Sequence, residues 1–299
     1  MADIKLFQYG ESVKQLKSSE VNFEKELQKT IEKNMFEFFG VTFLASEYST
    51  TNGGRMDSIG IDENFCPVIF EYKRSQNENV INQGLFYLDW LLHNKDSFKL
   101  LVLEKLDREI ASKIEWSMPR VICIASDFSK YDEFAINQMI RNISLIRYKK
   151  FDNNLLMFEQ VNQNVVQPIK DNEEGKKQKN NYDNSTFEYQ LGHADEKIKK
   201  LYEELKEYVL GLGDEVSESI LKLYSAFKKI RNITTVVPSK TKLTLNLPLD
   251  VKTVEYEEGF SRDVTNIGHW GCGEVEIFIK DSKDLEKAKP LIKRAYEEN

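Results

Sequence analysis

The residues best suited by type and spacing to do chemistry lie between Gly53 and Lys73, in the run GGRMDSIGIDENFCPVIFEYK. In an extended 67–73 segment, alternation puts Glu71 and Lys73 on one face and Phe70 and Tyr72 on the other. A hairpin folded about Asn64 sets Asp57 opposite Glu71. A second, folded about Asn52, sets Glu47 opposite Asp57, so a cross-strand row of carboxylates with a lysine beside it is expected. Like charges opposed on a sheet repel, and a cation would neutralise them. Oxygen-only ligands of this kind suit Mg²⁺ or Mn²⁺ rather than zinc. The plain alternative is an exposed strand face with a weak ion pair. Against it, the Glu-x-Lys triplet ends an apolar run, Val68–Ile69–Phe70, where charge needs a reason. Further on, Gln83 and Tyr87 stand four apart, one turn along a helix face. Without other information, that pair reads as a solvated Gln and a core Tyr.

The elements that position these residues follow from periodicity. Phe23, Leu27, Ile31, Met35 and Phe38 form the stripe of an amphipathic helix, which Gly40 closes. Strand-like runs at 41–48, 56–61 and 67–73 are separated by the turns STTNGGR and DENFC, which predicts an antiparallel meander. Helical patterns cover about 78–93, 96–114 and 131–142, with a buried strand at 120–126 and strands ISLIRYKKF and NLLMFEQV after them. The fold class expected is α/β: an N-terminal αβββα mixed sheet flanked by helices, then a smaller C-terminal α+β domain. That second part has helices at 194–210 and 282–296 and strands near 220–228, 232–237, 242–249 and 274–280. Between Gln167 and Ser185 the chain is polar and nearly free of apolar residues, which suits a linker. The expected division is 1–164, a linker over 165–187, and 188–299.

Asp57, then Glu71-x-Lys73 after a hairpin, then Gln83-x-x-x-Tyr87, resembles the PD-(D/E)XK nuclease superfamily in its RecB-like, QxxxY form. The likeness spans roughly residues 20–160 and is greatest to endonuclease domains of the NucS kind, so a restriction-endonuclease-like sheet is implied. The resemblance implies that Asp57 and Glu71 hold Mg²⁺ or Mn²⁺ together with the backbone carbonyl of Tyr72. It implies too that Lys73 orients the attacking water, and that Gln83 and Tyr87 buttress the site or touch the scissile strand. Two positions depart from the pattern: Met56 stands where a Pro is common, and the first helix offers Gln28 where a glutamate is usual. Glu24, one turn earlier, and Glu47 are the alternatives for that acid, and one or two metals are both compatible. The activity implied is metal-dependent hydrolysis of DNA phosphodiesters, with RNA left open and the C-terminal domain recognising substrate or partner. The second reading is a nuclease fold kept as a binding or assembly module, and a homodimer is compatible with either. YEELKEYVL, TTVVPSKTKLTLNL and Asn266-Ile-Gly-His-Trp-Gly resemble a bacterial C-terminal domain commonly labelled "predicted transport protein". No apolar run supports transport.

Composition bounds these readings. The chain has 42 Lys+Arg against 49 Asp+Glu, a net charge of −7, split −4 and −3 between residues 1–164 and 165–299. Neither half is a basic module, which argues against coating nucleic acid by bulk charge. With 11% aromatic residues, the chain can bury a core. No run approaches a membrane span, no signal-like stretch opens the sequence, and the expected location is cytoplasmic. Cys66, Cys123 and Cys272 lack a CxxC pairing and read as small buried hydrophobes. His269-Trp270-Gly-Cys-Gly reads first as a turn whose Trp anchors a small core, and second as a loop offering an aromatic ring to a base. Lys149-Lys150 and Lys228-Lys229-Arg231 are short basic clusters within reach of phosphate chemistry.

Overall fold

A computed structural model describes residues 4–19, 24–73, 79–165 and 185–299. Its contacts group into two units: Met1–Ile61, Pro67–Ile114 and Pro119–Val166 in the first, Asp62–Cys66, Glu115–Met118 and Gln167–Asn299 in the second. Most of the expected linker lies outside the described residues.

The first unit begins with an antiparallel pair, β1 (Leu6–Gln8) and β2 (Lys14–Leu16), and a short β3 (Ser18–Ser19). The helical stripe that follows is two helices rather than one, α1 (Glu24–Lys33) and α2 (Met35–Phe39). Asn34 breaks it: its backbone leaves the helical region and its side-chain amide donates to the Thr30 carbonyl, 2.8 Å. Gly40 then closes α2 in a left-handed conformation, its N–H on the Phe36 carbonyl. The meander is β4 (Val41–Ser49), β5 (Arg55–Asp62) and β6 (Pro67–Lys73). β5 and β6 are antiparallel, with Ser58 opposite Phe70 and Ile61 opposite Pro67. That is the register a fold about Asn64 requires. After α3 (Val80–His93), the helical pattern near 96–114 is also two helices, α4 (Lys95–Lys105) and α5 (Arg108–Ser112). Asp107 starts the second by accepting from the Ile110 N–H, 2.8 Å. β7 (Arg120–Ala125), α6 (Lys130–Ile136), β8 (Asn142–Phe151) and β9 (Leu155–Asn164) finish the unit. β7 runs parallel to both β6 and β8, and β9 pairs antiparallel with β8, so the seven-stranded sheet is mixed, in the order β3-β8-β7-β6-β5-β4.

Helices cover both faces of this sheet. Gly84 of α3 sits so close to β7 that a Cβ there would lie 2.4 Å from Val121 Cγ1. The parallel register puts Val121, Ile69, Glu71, Cys123 and Lys73 on that same face. On the opposite face the Phe70 ring packs against Phe39 of α2, centroids 5.5 Å apart.

The second unit holds α7 (Phe187–Gly192), α8 (Glu196–Leu210), β10 (Ser217–Ile220), β11 (Ser225–Lys228), β12 (Asn232–Pro238), β13 (Leu243–Leu247), β14 (Ser261–Asp263), β15 (Val275–Ile279) and α9 (Ser282–Glu298). The single strand expected at 220–228 is instead β10 and β11, folded back through a turn in which the Leu221 N–H reaches the Tyr224 carbonyl. β14 has no counterpart in the sequence pattern, being only three residues long. The six strands run antiparallel in the order β10-β11-β12-β13-β15-β14. Val236, Leu245 and Ile277 align across three strands and join Leu205, Val209, Ala288 and Ile292 in one core, so α8 and α9 cover a single face. Also in this unit, Asn64 and Asn232 exchange side-chain amide hydrogen bonds of 3.1 and 3.0 Å. The fold is thus a helix-flanked mixed sheet and a separate α+β unit. Among the described residues no helix is long and apolar enough to cross a membrane.

Candidate active site

Asp57 and Glu71 meet where β5 and β6 begin to part. One oxygen of each is already held: Asp57 Oδ2 accepts from the Tyr72 N–H at 2.9 Å, and Glu71 Oε1 accepts from the Asp57 N–H at 3.3 Å. Each carboxylate therefore leans on the backbone of the other's strand, which fixes the pair geometrically. Glu71 is 1% exposed. Its burial, and secondarily the Asp57 charge, push its pKa up to about 9. Burial also raises Asp57, against the Tyr72 N–H and the Lys73 charge, which favour its ionised form. Both shifts favour the protonated form of the pair, at Glu71 above all. Cys123, beside Glu71 in the register, stays a thiol because burial and then Glu71 raise its pKa.

Glu47 does not complete the row. Its backbone is left-handed, φ 53°, which breaks the alternation of β4, and its carboxylate pairs with Arg55 Nε at 2.7 Å. Its charge still raises Asp57. Glu24 opens α1, but its side chain lies outside the described residues. The helix instead contributes Gln28, whose Nε2 lies 2.8 Å from the Asp57 carbonyl, 3.1 Å from Ser46 Oγ and 2.9 Å from Glu32 Oε1. Ser58 Oγ donates to the same Glu32 oxygen at 2.7 Å, and the Tyr72 hydroxyl donates to Ser58 at 3.2 Å. A hydrogen-bonded chain therefore runs Asp57 carbonyl, Gln28, Glu32, Ser58, Tyr72, and returns through the Tyr72 N–H to Asp57 Oδ2. Sequence reasoning missed Glu32 and Ser58. The available signal was Glu32 standing four residues after Gln28, on one helix flank.

α3 takes up the other side. The Tyr87 hydroxyl accepts from the Arg55 N–H at 3.3 Å, and Trp90 Nε1 donates to Thr51 Oγ1 at 2.8 Å. Tyr87 thus holds the residue two before Asp57, and Trp90 holds the β4–β5 turn ahead of it. Gly54 lies against the Tyr87 ring, where a Cβ would approach to 2.5 Å. Gln83, one turn earlier on α3, is exposed. Asp57, Glu71, Lys73 and Tyr87 are thus brought to one corner of the first unit; Gln83 is not packed into it.

Among the described residues no group of three or more His, Cys, Asp or Glu side chains converges on a cation position. The donor set is a pair. It is nonetheless suited to a hard divalent ion, because two adjacent carboxylates whose burial disfavours their charge offer oxygen ligands that such an ion would neutralise.

The first unit is therefore an α/β domain with a paired-carboxylate site and a lysine where two inner strands, β5 and β6, part. The chain belongs to the family of an uncharacterised protein of Haemophilus influenzae, which is 31% identical over 291 residues, 95% of this chain and 96% of that one. Residues 188–299 match DUF5655, a domain of unknown function. A crystal structure of a repair endonuclease from Pyrococcus abyssi aligns over 48% of this chain and 65% of that one, at 13% identity and a TM-score of 0.29. So low a score carries no weight beside the strand order and register.

Proposed function

We propose that this protein is a metal-dependent nuclease that hydrolyses DNA phosphodiester bonds at the Asp57–Glu71–Lys73 corner. The single observation carrying this reading is the mutual arrangement of Asp57 and Glu71: two opposed carboxyls, each anchored by a backbone N–H, beside Lys73 on a buried strand. Asp57, Glu71 and the Tyr72 carbonyl would hold Mg²⁺ or Mn²⁺. When bound, the ion would lower the pKa of a coordinated water and offset charge on the phosphate. Lys73 orients the water and stabilises charge developing on the phosphate oxygens. The Gln28–Glu32–Ser58–Tyr72 chain fixes the backbone on which Asp57 and Glu71 stand, as outer partners fix ligands elsewhere. Tyr87 holds the turn that leads into Asp57.

The test is cleavage of plasmid and single-stranded DNA in Mg²⁺ or Mn²⁺. Wild-type protein is expected to cut, Asp57→Asn to fall to background, and Lys73→Ala to lose roughly 10²–10³ in rate. Equal cutting by Asp57→Asn, or no cutting of any nucleic acid by wild type, would overturn the assignment. The latter outcome is the one expected of a fold kept only for binding.

A further inference from the structure

The second unit carries a cluster of charge that its composition hides. α8 and α9 cover one face of its sheet. On the other, the register aligns Thr235, Asn246, Glu276 and Arg262, and beside them Val237, Thr244 and Phe278. Phe278 is partly exposed, with Lys242 Nζ 3.7 Å and the Arg262 guanidinium 5.3 Å from its ring centroid. Leu243 opposite Ile279 makes Lys242 and Lys280 the next opposed pair, on the same face as Phe278. Burial lowers the pKa of Lys242, and the charges of Arg262 and Lys280 add to that effect against the pull of Glu276. Two cations thus lie over one aromatic ring, with Lys280 beside them holding the Gly259 carbonyl at 2.8 Å, and the nearby carboxylate of Glu276 is committed to Arg262 at 2.5 Å. Opposed like charges repel unless an anion lies between them.

The same face carries Trp270. The sequence favoured an anchoring role for this residue, but the ring is 56% exposed. Its loop is nevertheless pinned. Gly271 and Gly273 hold φ values of 103° and 106°, open to glycine but rarely to other residues. A Cβ on Gly271 would lie 2.1 Å from Thr235 Oγ1, and the Cys272 N–H donates to that hydroxyl at 3.1 Å. The loop therefore lies flat on the sheet and holds an aromatic residue out to solvent. Asn246, beneath Gly271, is only two residues from Thr244, the partner of Phe278, roughly 7 Å along the strand.

We propose that this face binds single-stranded nucleic acid, with phosphates on Lys242, Lys280 and Arg262 and an unpaired base stacked on Trp270. Exposed aromatic rings among cations are how strands without base pairing are held, because every base offers a π-face. A purely acidic peptide would satisfy the cations but carries no ring for the indole.

The full chain, in EDTA so that nothing is cut, is titrated into labelled oligo-dT, an RNA strand, a duplex and a polyglutamate competitor, read by anisotropy. Single strands of either sugar are expected to bind more tightly than the duplex. Trp270→Ala should weaken single-strand binding by roughly tenfold, with Trp270→Phe keeping most of it. Lys242→Ala with Lys280→Ala should reduce the slope of log K against log salt by about 1.4. Because EDTA removes any metal, binding is read apart from cleavage: a chain that binds but never cuts in Mg²⁺ keeps this result and loses the nuclease reading, and one that cuts but does not bind single strands does the reverse. Duplex bound as tightly as single strands, polyglutamate displacing the oligonucleotide at matched charge, or Trp270→Ala and the double lysine variant binding like wild type would each overturn the proposal.

Discussion

Held near 9 by burial and by Asp57, Glu71 keeps its proton at neutral pH, whereas in the unfolded chain it ionises near its ordinary 4.5. Between those values the folded protein binds the extra proton, so without metal its stability falls as pH rises from about 5 to 9. The slope is at most about 1.4 kcal/mol per pH unit from this group. Urea midpoints in EDTA across that range check it: the wild-type slope should flatten in Glu71→Gln, and parallel slopes would refute the raised pKa of Glu71. Ser58 offers a second check. Ser58→Ala strands the buried Tyr72 hydroxyl and takes a donor from Glu32, for a cost of about 1–3 kcal/mol, whereas Tyr72→Phe should cost about 0.5–1.5. Equal costs in urea unfolding would show that the chain is not connected as described. The Asp57–Glu71 opposition was legible because a single turn centre fixes the register of the whole hairpin. Glu47 was not, because one left-handed residue redirects its side chain and nothing in its neighbours announces that. Glu32 was missed because it touches strand residues that are 26 positions away in sequence.

At the scale of elements, periodicity located strands well and helix continuity poorly. β6 was read residue for residue, since its apolar run has abrupt ends. Asn34 and Asp107 both interrupt patterns whose apolar spacing continues across the break, so the stripe persists while the helix does not. The placement of α3 decides the corner's shape and can be tested through Gly84. Gly84→Ala should cost roughly 1–3 kcal/mol by driving a methyl into Val121, and markedly less in a Val121→Ala background. A cost unchanged in that background would mean α3 is not seated on β7 at this point. The grip of Tyr87 and Trp90 on the β4–β5 turn likewise explains why Tyr87 is core-like and Gln83 is not: one faces the turn, the other solvent.

Across the whole molecule, the net charge of −7 describes neither of the two proposed surfaces. Two of the acids pair at one corner of the first unit, and three cations gather on one sheet face of the second. Three members of the basic runs in the sequence are engaged elsewhere: Lys150 pairs with Glu26, Arg231 with Glu63, and Lys229 lies over Tyr296. The cations that do cluster, Lys242, Arg262 and Lys280, are spread along the chain and are gathered only by strand order. The relationship to the Haemophilus influenzae protein extends over both units, so the pair of surfaces is a property to compare across that family. The most direct measurement is a calorimetric titration of the metal-free full chain with Mn²⁺. Wild type and Lys73→Ala should bind the ion, while Asp57→Asn and Glu71→Gln should not. Binding that survives both carboxylate substitutions, or no binding by wild type, would contradict the assignment of the Asp57–Glu71 pair as the metal site.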